Sequence, residues 1–224
     1  MRRAANDWLH ANLPQSMTTY RLRTSLRYCA IGARFVFLDI AASRYFLLEG
    51  GAAGHFADYL DGECKSEAIL WLTGRGLIEV GEPIPARPIP PAATSSLFEK
   101  ALPRPRFAIV VEALAFQTIA RRRVKREPIS ALLMPSPGGA SDLERCIPLA
   151  AALRRAARYV QAEDQCLANG VAMRAMLARR GLASELVIGV RLPFAAHCWV
   201  QMGETVLSDP LDRVQNFKPI VAVP

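Results

Sequence analysis

Cys166, His197 and Asp209 stand in an order that suits thiol chemistry. The cysteine opens a helical run, Cys166-Leu167-Ala168-Asn169-Gly170 and onward to Arg180-Gly181. The histidine follows 31 residues later in the strand-like Ala195-Ala196-His197-Cys198-Trp199-Val200, and the aspartate 12 residues beyond, in Leu207-Ser208-Asp209. A thiol attacks as the thiolate, so it needs a base to take its proton and an acid to orient that base. A helix start helps, because its unpaired N–H groups and positive dipole end favour the thiolate. A free cysteine is more often a buried filler, but the polar run Glu163-Asp164-Gln165 and the two partners downstream favour the nucleophile. Strand alternation places His197 and Trp199 on one face and Cys198 on the other, so Cys198 is expected to fill the core. Asp212 is the rival acid; its position after Pro210 reads as a loop carboxylate. The backbone N–H of Cys166 is one candidate oxyanion donor. Gln161 or Gln165 could supply a second, and either reads equally well as a solvated surface residue.

The elements that must position these groups are legible around them. The apolar face of Cys166–Arg180, with Leu167, Val171, Met173, Met176 and Leu177, predicts a buried helix ended by Gly181. Glu185–Val190, Ala195–Gln201 and Thr205–Leu207 predict strands, the last two joined by Met202-Gly203-Glu204. Upstream, Phe107–Arg126 predicts a helix and Leu143–Val160 a second helical region with Pro148 as its break. Nearer the start, Arg34–Asp39 and Arg44–Leu48 predict a hairpin, and the Tyr20–Tyr28 run a third strand. Helices are expected near Gly51–Leu60 and over Ser66–Gly74, with Ser66 as N-cap and Gly76 as stop. Seven of the sixteen prolines lie between Pro83 and Pro105. They deny that segment a helix or a central strand and predict a semi-rigid spacer.

The sequence therefore predicts an α+β protein in four parts. Residues 1–17 are an N-terminal extension, 18–82 a small winged-helix-like domain, 83–105 the linker, and 106–224 a cysteine peptidase domain. About half the residues are hydrophobic, enough for a real core. The longest apolar stretch, Phe107 to Ala120, holds Glu112 and Gln117 and is too short to span a bilayer. Five cysteines without CxxC spacing and three dispersed histidines predict no metal site. No phosphate-cradling GxxxxGK[ST] pattern occurs. The odd cysteine count, with no apolar run between Arg3 and Asn6, predicts a cytoplasmic protein. The net charge is +8, yet residues 1–90 carry 10 Lys/Arg against 9 Asp/Glu. Ser66–Gly74, the expected recognition helix, has Glu67 and no base, which argues against a nucleic-acid reader. The cluster Arg121-Arg122-Arg123-Val124-Lys125-Arg126 fits the polar C-terminal end of a helix.

Three stretches carry a family resemblance. These are Cys166-Leu167-Ala168-Asn169-Gly170-Val171-Ala172-Met173, Arg179 through Val190, and Phe194 through Val200. They resemble the transglutaminase-like cysteine peptidases of lasso-peptide maturation, the lasso-peptide B proteins. The N-terminal segment resembles the RiPP recognition element, through Val36–Asp39, Arg44–Leu48 and Leu72–Ile78. The family departs from this chain at two positions, usually carrying serine at 170 and glutamate at 201.

The resemblance implies that residues 106–224 form a papain-like or transglutaminase-like cysteine peptidase domain, with Cys166, His197 and Asp209 as its catalytic triad. It also implies a leader peptidase that binds the leader of a ribosomally made lasso precursor and cuts it from the core. The partner would be an asparagine-synthetase-like macrolactam synthetase, through which any ATP requirement enters; no cofactor is expected on this chain. The leader would add as a strand to the N-terminal hairpin and fill a groove with Phe37, Leu38, Tyr45, Leu47 and Leu70. A catalytically silent scaffold that hands the leader to the cyclase would share nearly all of these features. An acyl- or amine-transferring enzyme would share the thiol chemistry.

Overall fold

The computed structural model describes residues 18–84, 89–136, 138–159 and 165–224. The predicted N-terminal extension, and Gln161, Glu163 and Asp164 ahead of Cys166, lie outside the described residues.

The chain opens with β1 (Tyr20–Leu22) and β2 (Leu26–Ile31), so the run expected as one strand divides at Arg23-Thr24-Ser25. β3 (Arg34–Asp39) and β4 (Arg44–Leu48) fall where the β-rich runs placed the hairpin. β2, β3 and β4 form an antiparallel meander in that order, with Phe37 opposite both Tyr28 and Phe46. Helices α1 (Gly51–Asp61) and α2 (Ser66–Gly74) follow. Lys65 rather than Ser66 takes the N-cap position, and no side chain caps the helix. β5 (Ile78–Val80) then returns to pair with β1.

Alternation along the meander decides its packing, because both of its faces are buried. Leu26, Phe35, Phe37 and Leu48 join Phe56 and Leu72 in a core closed by α1 and α2. The opposite face presents Cys29, Val36 and Leu38 to the large core of the C-terminal half. An aromatic cluster holds the first core, with Phe37 stacked on Phe46 at 4.9 Å and edge-on to Phe56 at 4.9 Å.

The proline-rich stretch is only partly a spacer. Ser95–Ser96 forms β6, and Leu97 beside it is fully buried. No proline stands between Pro91 and Pro103, so the chain there keeps its donors and is free to pair.

In the second half come α3 (Phe107–Arg126), α4 (Ile129–Leu132), α5 (Leu143–Ala157) and α6 (Cys166–Ala178). α5 runs unbroken through Pro148, because the carbonyl that proline leaves unbonded, that of Glu144, lies in the first turn. Asp142 caps this helix by accepting from the Arg145 N–H at 3.1 Å. β7 (Glu185–Arg191), β8 (Ala195–Met202) and β9 (Thr205–Val206) are followed by α7 (Leu211–Gln215) and β10 (Lys218–Val223). Their sheet runs β10-β7-β8-β9-β6, antiparallel except where β6 lies parallel to β9. α6 packs across the sheet and is sandwiched by α3, which makes it the buried helix its apolar face required.

Two glycines set how closely these layers approach. A Cβ on Gly170 of α6 would stand 2.6 Å from Leu186 Cδ1 and 3.1 Å from Cys198 Sγ, so glycine here lets the helix press against β7 and β8. Gly189 is opposite His197 in the register, and a Cβ there would come within 2.8 Å of the Trp199 ring and 2.9 Å of Phe217 Cβ. Trp199 cannot swing aside, since its Nε1–H donates to Gln201 Oε1 at 2.8 Å and the residue is 1% exposed. Gly189→Val is therefore expected to cost about 1–3 kcal/mol, read as a lowered urea midpoint at unchanged slope. Stability equal to the parent would show that the Trp199 pocket can yield.

Candidate active site

The site is built on the outer edge of β8. β9 pairs only with Gln201 and Met202, so residues earlier in β8 keep an open edge. Two N–H groups along that edge find other partners. The Val200 N–H donates to Ser208 Oγ at 2.9 Å, and the Cys198 N–H is turned to the sulfur of Cys166. The start of α6 and the turn after β9 are thereby both fastened to one strand.

Cys166, His197 and Asp209 meet there. His197 Nε2 bonds Asp209 Oδ1 at 2.9 Å, and its side chain also bonds Cys166. With Nε2 taken by the aspartate, Nδ1 is the nitrogen left for the sulfur. Asp209 is fixed on every side: its Oδ2 accepts from Ser208 Oγ at 2.5 Å, and its backbone carbonyl accepts from Ser96 Oγ at 2.5 Å. Ser96 belongs to β6, so the stretch expected as spacer supports the acid. Neither serine was singled out from the sequence, and only the sheet order reveals them.

Burial raises the Cys166 thiol, but the His197 bond and the N–H groups of Cys198 and Leu167 outweigh it and hold the thiol below its ordinary value. Burial likewise opposes charge on His197, yet its bonds to Asp209 and Cys166 push it up to about 9. A lowered thiol and a raised imidazole both favour a thiolate–imidazolium pair. Gln165 is the N-cap of α6 and makes no side-chain capping bond. The backbone N–H of Cys166, in the unpaired first turn, remains the natural oxyanion donor.

The other predicted residues sort plainly. Cys198 is buried among α6 contacts and burial pushes its thiol far up, as a core filler requires. Asp212 is exposed on α7 and accepts from the Arg213 N–H at 2.7 Å, away from His197. Of the five groove residues, Phe37 and Leu38 are corrected: both are 0% exposed, one in each core, because both sheet faces are covered. Tyr45 sits at the junction of the halves, its ring 5.2 Å from that of Phe194 and its hydroxyl pushed up by burial to about 12. Leu47 and Leu70 offer the most surface, at 38% and 74% exposure.

At position 201 the amide has a reason. Gln201 is 2% exposed and its Nε2 donates to the carbonyls of Pro91 at 3.1 Å and Gly203 at 2.7 Å. A carboxylate there would face two acceptors with nothing to donate. The cleft beside Cys166 encloses about 820 Å³ and is bordered by Gln117, Asn169, Asp209 and Arg213. An activated thiol, a proton carrier and a shaped cleft can form and resolve an acyl-enzyme.

A family profile, that of the transglutaminase-like superfamily, matches residues 110–222. The chain belongs to this superfamily, whose members are generally cysteine peptidases or transglutaminases. No curated protein and no solved structure matches the chain. Among the described residues, no helix is long and apolar enough to cross a membrane.

Proposed function

We propose that this chain is a cytoplasmic leader peptidase of lasso-peptide maturation. It binds the leader of a ribosomally made precursor at its winged-helix-like N-terminal part, then hydrolyses the bond between leader and core. Cys166 attacks the scissile carbonyl, the Cys166 N–H steadies the oxyanion, and His197 carries the thiol proton to the leaving amine. Water activated by His197 then releases the leader acid. The freed core amine passes to an asparagine-synthetase-like cyclase, which supplies the ATP chemistry.

The observation that carries the reading is the His197–Asp209 bond of 2.9 Å beside a thiol at a helix start. A silent scaffold has no use for an acid held by two serines against an imidazole. Leader binding is supported by β4, an end strand of its sheet. An extended peptide can continue the sheet there, where Leu47 of β4 is an exposed apolar side chain.

Mass spectrometry of a precursor peptide encoded beside this chain, incubated with the protein and its cyclase, is the test. Separate leader and core masses are expected. Intact precursor that nonetheless binds the chain would return it to the scaffold reading.

A further inference from the structure

We propose that the groove running from Cys166 along the N-terminal half of α3 is a subsite for the segment beyond the scissile bond, and that it takes a carboxylate flanked by apolar side chains. This deepens the peptidase reading and rests on it for the direction of the substrate.

Two cavities form the groove, sharing Leu102, Arg154 and Arg158. The one beside Cys166 continues into a second of about 900 Å³. Four arginines, Arg104, Arg154, Arg155 and Arg158, border the second cavity. Its apolar wall is Leu102, Val111, Leu114 and Phe107. Among the described residues, no Asp or Glu lines this second cavity, and in the first only Asp209 does, committed to His197.

Among the described residues none of the four arginines is ion-paired. Arg154 donates to the Phe98 carbonyl at 2.8 Å and lies 4.8 Å over the Phe98 ring, while Arg155 lies 5.8 Å over Tyr159. These contacts orient two guanidinium groups without neutralising them. Phe107 at 82% and Tyr159 at 65% exposure leave aromatic surface in water beside them. Concentrated positive charge over exposed apolar surface is complementary to an acidic, partly apolar peptide.

The direction follows from α3, whose 20 residues span ~30 Å. Just past its C-terminal end, the Ile129 N–H bonds Ser43 Oγ of the N-terminal half at 3.2 Å. Midway, Gln117 Nε2 donates to Asn169 Oδ1, one turn beyond Cys166. The arginine groove lies at the opposite end, beside Phe107. A substrate held by its leader at the N-terminal half thus passes Cys166 before it meets the groove. From Gln117 to Phe107 is ~15 Å along the helix, which about five extended residues cover.

Display selection decides this, using the full chain with Cys166→Ala and random dodecapeptides as the probe. Peptides with Asp or Glu among apolar residues are expected to be enriched about tenfold over their Asn or Gln counterparts. The added pair Arg104→Ala/Arg158→Ala should erase that ratio. Arg104→Glu/Arg158→Glu should turn the preference towards Lys and Arg, a gain that misfolding cannot produce. Absence of acidic enrichment, or enrichment indifferent to both pairs, overturns the subsite. Incubating the selected peptides with the parent separates the two readings. Cleavage within about five residues before the acid supports both. Acid-selective binding without cleavage would leave the groove assigned and remove the peptidase; cleavage without acid selectivity would do the reverse.

Discussion

Cys166→Ala is expected to lower leader removal by about 10⁴-fold or more, while peptide binding to the N-terminal half stays near that of the parent. The sulfur is the one atom of the site that forms a bond to substrate on the proposed mechanism. Its removal leaves only positioning and the backbone donor at the start of α6. Cys166 is half-buried, whereas Cys146 and Cys198 are buried outright and burial drives both of their thiols up. Iodoacetamide at pH 6 should therefore label Cys166 first, and labelling should track loss of cleavage. Parent-like cleavage by Cys166→Ala, or loss of binding and cleavage together in a folded variant, would make Cys166 structural.

The second large effect is at Asp209. Cleavage needs thiolate and imidazolium together, so the rate should fall below the lowered Cys166 value and again above about 9, where His197 gives up its proton. Among the groups that raise His197, the bond to Asp209 is the strongest. Asp209→Asn removes a charge that stabilises the imidazolium, so the alkaline limb should move down in pH. The plateau should drop by about 10²- to 10⁴-fold. Some thiolate should survive, because the N–H groups of Cys198 and Leu167 still face the sulfur. His197→Ala, which removes the proton carrier itself, should be worse, and exposed Asp212→Asn should match the parent. Single-turnover cleavage across pH reads all three. An unmoved alkaline limb in Asp209→Asn would mean that another group orients the imidazole.

Much of this was legible because it rests on local pattern. Runs rich in aromatic and aliphatic residues mark β3 and β4 to the residue, and the broad apolar face of α6 announces a buried helix with a cysteine at its head. The order of Cys166, His197 and Asp209 also carries its own chemical sense. What stayed hidden depends on distant pairing. Ser96 and Ser208 look like ordinary polar residues until β6 settles beside β9. β6 itself was masked by the prolines around it, and β10 by its separation from the other strands. Phe37 and Leu38 read as groove residues because the sequence shows a hairpin but not that both of its faces are covered. The halves consequently looked more separable than they are, since Val36 and Leu38 contribute to the core that also holds Leu149 and Met173.

On the proposed function, that shared meander would make the leader peptide a folding ligand for the whole chain. With one sheet filling two cores, heat or urea is expected to unfold both halves in a single transition. A peptide that adds to β4 at 100 times its Kd then contributes ~2.7 kcal/mol to the stability of the whole chain, including the edge of β8 some distance away. On the proposed function, the quantity of folded chain would rise and fall with the supply of what it binds, and a leader lacking any scissile bond would stabilise the fold just as well.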